Sequence, residues 1–306
     1  MLDLILFVKC SGVNARIDNL HDTLFTFEET NKNTNYKVYL VVDPILEAQA
    51  KSVLTSIIGE ERVLDFLVTE NTWAADFNTF FDNHKDSSEW LLISHDDVKF
   101  LTPDYFNRMV EAIGDKKDSV GWVTSTSEYY YKFENKLVTD TFRPGFHKDV
   151  DQWGGMFQLH TKDIHNPDYP KGPVKIHGPM SAIMLITMKS MKKVGPCESW
   201  TRYTMLIDED WSLSALKNNL WNVWVPNVFH SHPNRRFLRN ANNRWESEAH
   251  AGMLKKWGFN TGNANLPEFK QGVSIPIEQL REKYKGTNVA WSSYYNSYDW
   301  QYLHES

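Results

Sequence analysis

Cysteine is almost missing from this chain. Cys10 and Cys197 are the only two in 306 residues, and no metal-motif spacing relates them. A disulfide framework and a cysteine-type zinc site are therefore excluded, and both residues read as small buried hydrophobes. Long apolar runs are missing too: none approaches the ~18 residues of a membrane span. The opening Leu2–Val8 run carries Asp3, is interrupted by Lys9 and lacks a small-residue cleavage site. It reads as a strand rather than a secretory signal, and the expected compartment is the cytoplasm. Positive charge is in deficit: the formal net charge is -6. A general nucleic-acid binder needs a basic face, so that class is excluded, while a local basic pocket for one diphosphate is not. No glycine-rich fingerprint follows the first strand, which disfavours a dinucleotide or Walker-type site. Internal repeats are absent.

What is present suits one large α/β domain. Hydrophobic residues make up 41% and charged residues 24%, enough for a sizeable core. Leu4–Val8 reads as a buried strand, with Asn14 a candidate N-cap for a helix carrying Ile17, Leu20, Leu24 and Phe27 at helical spacing. Lys37–Val42, Arg62–Val68 and Trp90–Ile93 read as further strands. Helices are expected over Leu46–Ile58, Trp73–Phe81 and Pro103–Ile113. Short connections between alternating strands and helices predict a mostly parallel sheet flanked by helices. After a fifth strand, Val120–Ser125, the rhythm is lost. Residues 127–177 form an aromatic- and Gly-rich segment around Trp153, expected either as an irregular acceptor-side insert or as a surface hairpin of no special role. Ala182–Thr187, a short helix Lys189–Val194, a helix from Ile207 and a strand Trp221–Val225 broken at Pro226 complete a domain over 1–232. Residues 233–306, basic at first (Arg235, Arg236, Arg239, Arg244) and then Trp/Tyr/Asn-rich, read as a C-terminal extension.

The chain is organised around Trp90-Leu91-Leu92-Ile93-Ser94-His95-Asp96-Asp97-Val98. A buried strand runs abruptly into a histidine and two carboxylates. Open α/β sheets bind ligands beyond the carboxyl ends of their strands. Adjacent carboxylates repel unless a cation or proton compensates, and a hard divalent ion sharing substrate phosphates does so. The bland alternative is a solvated turn that caps the next helix. Asp208, Glu209 and Asp210 form a second acidic group at a helix start, suited either to capping or to a general base. His230 and His232, at i, i+2 past a strand, share a face if the strand continues. They suit a borderline ion such as Mn²⁺, or simply hydrogen bonds to loops.

Taken together, these pieces resemble the family-two-type glycosyltransferases of the GT-A fold, from about Leu4 to His232. Asp43 falls on that family's nucleotide-contacting Asp, although Pro-Ile-Leu follows it. Asn78, in Ala74-Ala75-Asp76-Phe77-Asn78, falls on the "ARN"-like segment. His95-Asp96-Asp97-Val98 falls on the Asp-x-Asp metal motif, with His95 in the first Asp position. Gly178-Pro179-Met180-Ser181-Ala182-Ile183-Met184-Leu185-Ile186 is similar to the "GACMLIRR" strand, and Lys193-Val194-Gly195 to "KVGGF". Glu209-Asp210-Trp211-Ser212-Leu213 is similar to "EDVDL", with Ser212 in the second Asp position. Trp224-Val225-Pro226 before His230 or His232 resembles the closing "VPxAxxxH", and Lys255-Lys256-Trp257-Gly258 echoes "KWG". The resemblance implies transfer of a sugar, with inversion, from a nucleotide diphosphate-sugar (UDP-sugar foremost) to a hydroxyl of a glycan or other acceptor. Mn²⁺ or Mg²⁺ is the implied ion, with Asp97 and His230 or His232 as ligands. Ser11, Asp43, Asn78 and Asp96 are implied at the donor, Asp210 as base and Glu209 as its helper. No nucleic-acid partner is implied. The alternative is a non-catalytic carbohydrate- or nucleotide-binding descendant of the same fold.

Overall fold

The computed structural model describes residues 2–11, 16–133, 136–144, 156–160, 170–176, 182–200, 206–232, 243–257 and 302–304. In chain order the elements are β1 (Leu2–Cys10), α1 (Ile17–Thr30), β2 (Tyr36–Val42), α2 (Glu47–Ile57), β3 (Val63–Val68), α3 (Trp73–His84), β4 (Ser88–His95), β5 (Lys99–Phe100) and α4 (Tyr105–Ile113). Then follow β6 (Val120–Phe133), β7 (Lys136–Pro144), β8 (Met156–His160), β9 (Val174–Ile176), β10 (Ile183–Thr187), α5 (Met188–Val194), α6 (Ile207–Lys217), β11 (Trp221–Ser231) and α7 (Asn243–Trp257).

The strands form one sheet of order β3-β2-β1-β4-β10-β6-β11-β5, with β7 and β8 continuing outward from β6 and β9 pairing β11. The first four strands in that order are parallel, as expected. Beyond them the sheet is mixed: β10 runs antiparallel to both β4 and β6, and β11 runs parallel to β6. Two reversals restore the original direction. The carboxyl ends of β1, β2, β4 and β11 therefore open on one rim.

β1 shows why the sequence folds this way. Its side chains alternate between two cores because successive residues of a strand point to opposite faces. Leu4, Leu6 and Val8 pack with α1, α2 and α4 through Leu24, Phe27, Leu54 and Met109. Ile5 and Phe7 pack on the other face with α3, α5 and α6 through Phe77, Phe80, Met191 and Trp211. A strand covered on both sides must be apolar at nearly every position, which is what the run Leu-Ile-Leu-Phe-Val provides. Each fully buried Leu or Phe here contributes roughly 1.5–3 kcal/mol of transfer free energy.

Three expectations are corrected. The segment from Ser127 is not irregular where it is described: β6 continues to Phe133, and β7 and β8 pair beside it in antiparallel register. A ribbon of β-formers lacks the strand–helix rhythm that marks a βα unit; Trp153 lies outside the described residues. The last strand does not break at Pro226. β11 runs on to Ser231 through a register shift between Val225 and Phe229, the kind of bulge at which a strand tolerates proline. The Pro226 carbonyl there accepts from Thr126 Oγ1 at 2.8 Å. Leu220, expected at an apolar position of the helix from Ile207, follows α6, which ends at Lys217. Asn14 and Gly178–Ser181 lie outside the described residues. From the extension, Leu303 is buried, its N–H donating to the Pro173 carbonyl at 2.8 Å. Among the described residues no helix is long and apolar enough to cross a membrane.

Candidate active site

β4 delivers His95 and the turn after it delivers Asp97; β11 delivers His232 one residue beyond its end. His95 Nδ1 lies 3.3 Å from His232 Nε2, and His232 Nε2 lies 3.1 Å from Asp97 Oδ1. One donor atom from each of the three lies within 4.8 Å of the others. Two ligands bound at about 2.1 Å and at right angles on an octahedral ion lie about 3.0 Å apart, so the spacing fits a divalent cation. The Asp97 and His232 side chains are each 18% exposed, which leaves the site open on one side. Burial, reinforced by His232 close by, pushes His95 down to about 4. Its imidazole is therefore neutral at neutral pH, the form that ligates metal. His95 was not among the expected ligands. The signal was its place in the first Asp position of the metal motif.

The two downstream histidines separate. His230 is buried, and its Nδ1 meets Ser125 Oγ at 2.6 Å, while Ser125 Oγ meets the Tyr105 hydroxyl at 2.5 Å. The structure does not group His230 with the three convergent donors. Burial and the two neighbouring imidazoles hold its pKa well below 6.5. Asp96 is turned toward β1: the Cys10 thiol donates to it, and burial raises its carboxyl to about 6.

Over the ends of β1, β2 and β3 lies a cavity of about 320 Å³ lined by Ser11, Asp43, Pro44, Glu70, Asn71 and Thr72, with Ile45 at its edge. Ser11 and Asp43 thus line the same cavity. Asn78 is elsewhere. Its amide donates to the Cys197 carbonyl at 2.9 Å and accepts from the Cys197 N–H at 2.8 Å, so both ends clamp α3 to the segment after α5. Behind the cavity wall Lys9 and Asp76 form an ion pair of 2.5 Å with side chains 2% and 1% exposed. Neither was singled out in the sequence, although a lysine closing an apolar strand is a visible oddity.

The second acidic group opens α6. Leu206, left-handed at φ 58, makes the bend that starts the helix. A non-glycine residue there costs roughly 1–2 kcal/mol. Trp211 anchors the helix edge-on to Trp73, with 5.8 Å between ring centroids, next to Thr72 of the cavity wall. The expected base, Asp210, has both its oxygens engaged. It is buried, its Oδ1 accepts from Trp257 Nε1 at 2.7 Å, and its Oδ2 accepts from Lys256 Nζ at 3.0 Å. Both oxygens thus fasten α7 to α6. Glu209 differs: its Oε2 is buried with no hydrogen-bond partner among the described residues. Burial, then the adjacent Asp208 carboxyl, raise its pKa well above the usual range. Asp210 is thus engaged at both oxygens, whereas Glu209 has an oxygen to spare.

A sheet that is parallel over β3-β2-β1-β4 and mixed beyond, with helices on both faces, is the architecture of the GT-A glycosyltransferase fold, and this chain has it. No family model matches the sequence, and no curated protein matches it. Among solved structures it is similar to the crystal structure of GalNAc-T7 with UDP, GalNAc and Mn²⁺. That likeness has a TM-score of 0.56 at 9% identity over 77% of this chain. The match spans 44% of the length of that chain.

Proposed function

We propose that this protein is a nucleotide-sugar-dependent glycosyltransferase that moves a sugar, with inversion, from a UDP-type donor to a hydroxyl of a glycan or similar acceptor. The observation that supports it most is the convergence of His95, Asp97 and His232 on the rim that also carries the Ser11–Asp43 cavity, in a fold whose solved neighbour holds UDP, GalNAc and Mn²⁺. Two imidazoles and one carboxylate favour Mn²⁺ over Mg²⁺, since imidazole suits transition ions. His95, Asp97 and His232 would hold the ion, which would supply charge neutralisation for the leaving diphosphate.

The chain's own residues supply the rest. The cavity side chains accept hydrogen bonds from the nucleoside half, so the donor lies along the rim with its diphosphate toward β4. Glu209, with its Oε2 outside any hydrogen bond among the described residues, takes the proton from the acceptor hydroxyl as it attacks. Asp210 keeps α6 and α7 together and so holds Glu209 in place. Asp96 supports the β4 turn from below through Cys10.

Calorimetric titration of UDP into the protein, with and without Mn²⁺, is the test. Micromolar binding that requires Mn²⁺ and disappears in Asp97→Ala is expected. Equal UDP binding in the absence of ion, or none in its presence, overturns the reading. Ion-dependent binding without any turnover of UDP-sugars across acceptor panels would instead make the chain a binding descendant of the fold.

A further inference from the structure

The Lys9–Asp76 pair is the most deeply buried charge pair among the described residues, and nothing in the transfer chemistry above uses it. Such pairs seldom add net stability, because taking two charges out of water offsets their attraction. What this one does is fix a wall. Lys9 Nζ donates to Asp76 Oδ2 at 2.5 Å and also to the backbone carbonyl of Asn71 at 2.8 Å. The other carboxylate oxygen, Asp76 Oδ1, accepts from Asn71 Nδ2 at 3.4 Å. The Asn71 N–H is held in turn by Thr69 Oγ1 at 3.0 Å.

A carboxylate in an ion pair has no proton to give. Asp76 therefore can only accept from Asn71, and the Asn71 side chain must offer it the NH₂ end. The amide cannot turn over without setting its oxygen against a charged carboxylate. Its Oδ1 is left as the open end of an exposed side chain on the cavity wall. Asp43 and Glu70 on the same wall are acceptors as well. The lysine that could have supplied donors is turned inward, onto Asp76 and the Asn71 carbonyl.

Resting on the transferase reading, we infer that Lys9 and Asp76 act through Asn71 as a specificity device. They present a fixed acceptor to the nucleobase and so select a base whose ring carries an N–H, as uracil does. A base whose corresponding ring nitrogen only accepts, as cytosine does, is rejected. Lys9 and Asp76 are positioning residues, and Asn71 makes the contact. Uracil and cytosine have nearly the same shape, so size does not enter the comparison. One hydrogen bond made against one repulsive acceptor pair is worth a tenfold preference or more.

The experiment is a calorimetric comparison of UDP, CDP and inorganic diphosphate, each with Mn²⁺, on the full chain and two variants. The parent should bind UDP at least about tenfold more tightly than CDP. Lys9→Met with Asp76→Asn removes both charges together, so no lone ion is left buried, and frees the Asn71 amide to turn. In it the UDP-to-CDP ratio should fall to within about threefold, through weaker UDP binding, while the affinity for inorganic diphosphate stays at the parental value. A purely structural loss would lower diphosphate binding as well. Asn71→Ala, at an exposed position, should show the same collapse of the ratio and decides the matter alone if the double variant does not fold. A parental ratio in either folded variant overturns the inference. So does a parent that binds UDP and CDP equally, an outcome that leaves the transferase reading standing. A parent that binds neither nucleotide overturns the transferase reading itself.

Discussion

Asp210→Asn separates the anchoring role from the base role more cleanly than any other single change. The carboxylate is 1% exposed and holds two donors on α7, Trp257 Nε1 and Lys256 Nζ. Breaking a buried pair by removing one partner typically costs about 3–5 kcal/mol. Two features reduce that here. Asn keeps an oxygen for the Trp257 indole, and Lys256 retains Glu198 at 2.8 Å with 28% of its side chain in solvent. A loss of about 2 kcal/mol is therefore expected, read as a lower denaturant midpoint at unchanged slope. Donor binding should persist. Single-turnover transfer by the folded variant should stay within about tenfold of the parent, because the altered group carries no proton in the reaction. Glu209→Gln should do the reverse. Its stability should be unchanged or improved, since a carboxylate beside the Asp208 carboxyl, with one oxygen lacking a hydrogen bond among the described residues, is replaced by a neutral amide, while transfer falls by about 10²-fold or more. An Asp210→Asn protein that is fully folded and binds donor but loses 10²-fold in transfer, beside an active Glu209→Gln, would refute the assignment.

Three further outcomes follow from the same geometry. Asp97→Ala and His232→Ala should each weaken Mn²⁺ binding by about 10²-fold, measured by titration of the ion alone, whereas His230→Asn should change it less than about threefold, because that ring is committed to Ser125. His230 is held neutral in the fold, with its pKa below the unfolded value of 6.5. Its contribution to stability is therefore fully present above that pH and lost as pH falls below it, at up to about 1.4 kcal/mol per pH unit. In metal-free protein, His230→Asn should flatten the acid limb of the stability profile by that amount, with His95, lowered to about 4, accounting for slope that remains. Gly121→Ala would place a methyl 2.7 Å from Ala215 Cβ and 3.0 Å from Asn222 Oδ1, forcing β6 and α6 apart; a loss of about 1–3 kcal/mol in a denaturation midpoint is expected.

The sequence by itself determined what depends on local pattern. Runs such as Leu4–Val8 and Trp90–Ile93 announced strands covered on both faces. The spacing of Leu20, Leu24 and Phe27 announced a helix. An acidic pair after a buried strand marked the rim on which the carboxyl ends of the parallel strands open. These signals are legible because periodicity and strand ends are properties of neighbouring residues. The tertiary structure alone decided which polar groups meet. His95 and His232 stand 137 positions apart and become neighbours only because β10 reverses the sheet between β4 and β6. His230 and His232 look equivalent in sequence, yet the packing of Tyr105 and Ser125 draws the first into the core and leaves the second at the rim. Asp210 reads as a base in the sequence, and only the fold brings Trp257 and Lys256, 47 and 46 residues downstream, onto its two oxygens. A carboxylate's role depends on which donors reach it, and those donors come from parts of the chain that no local pattern connects.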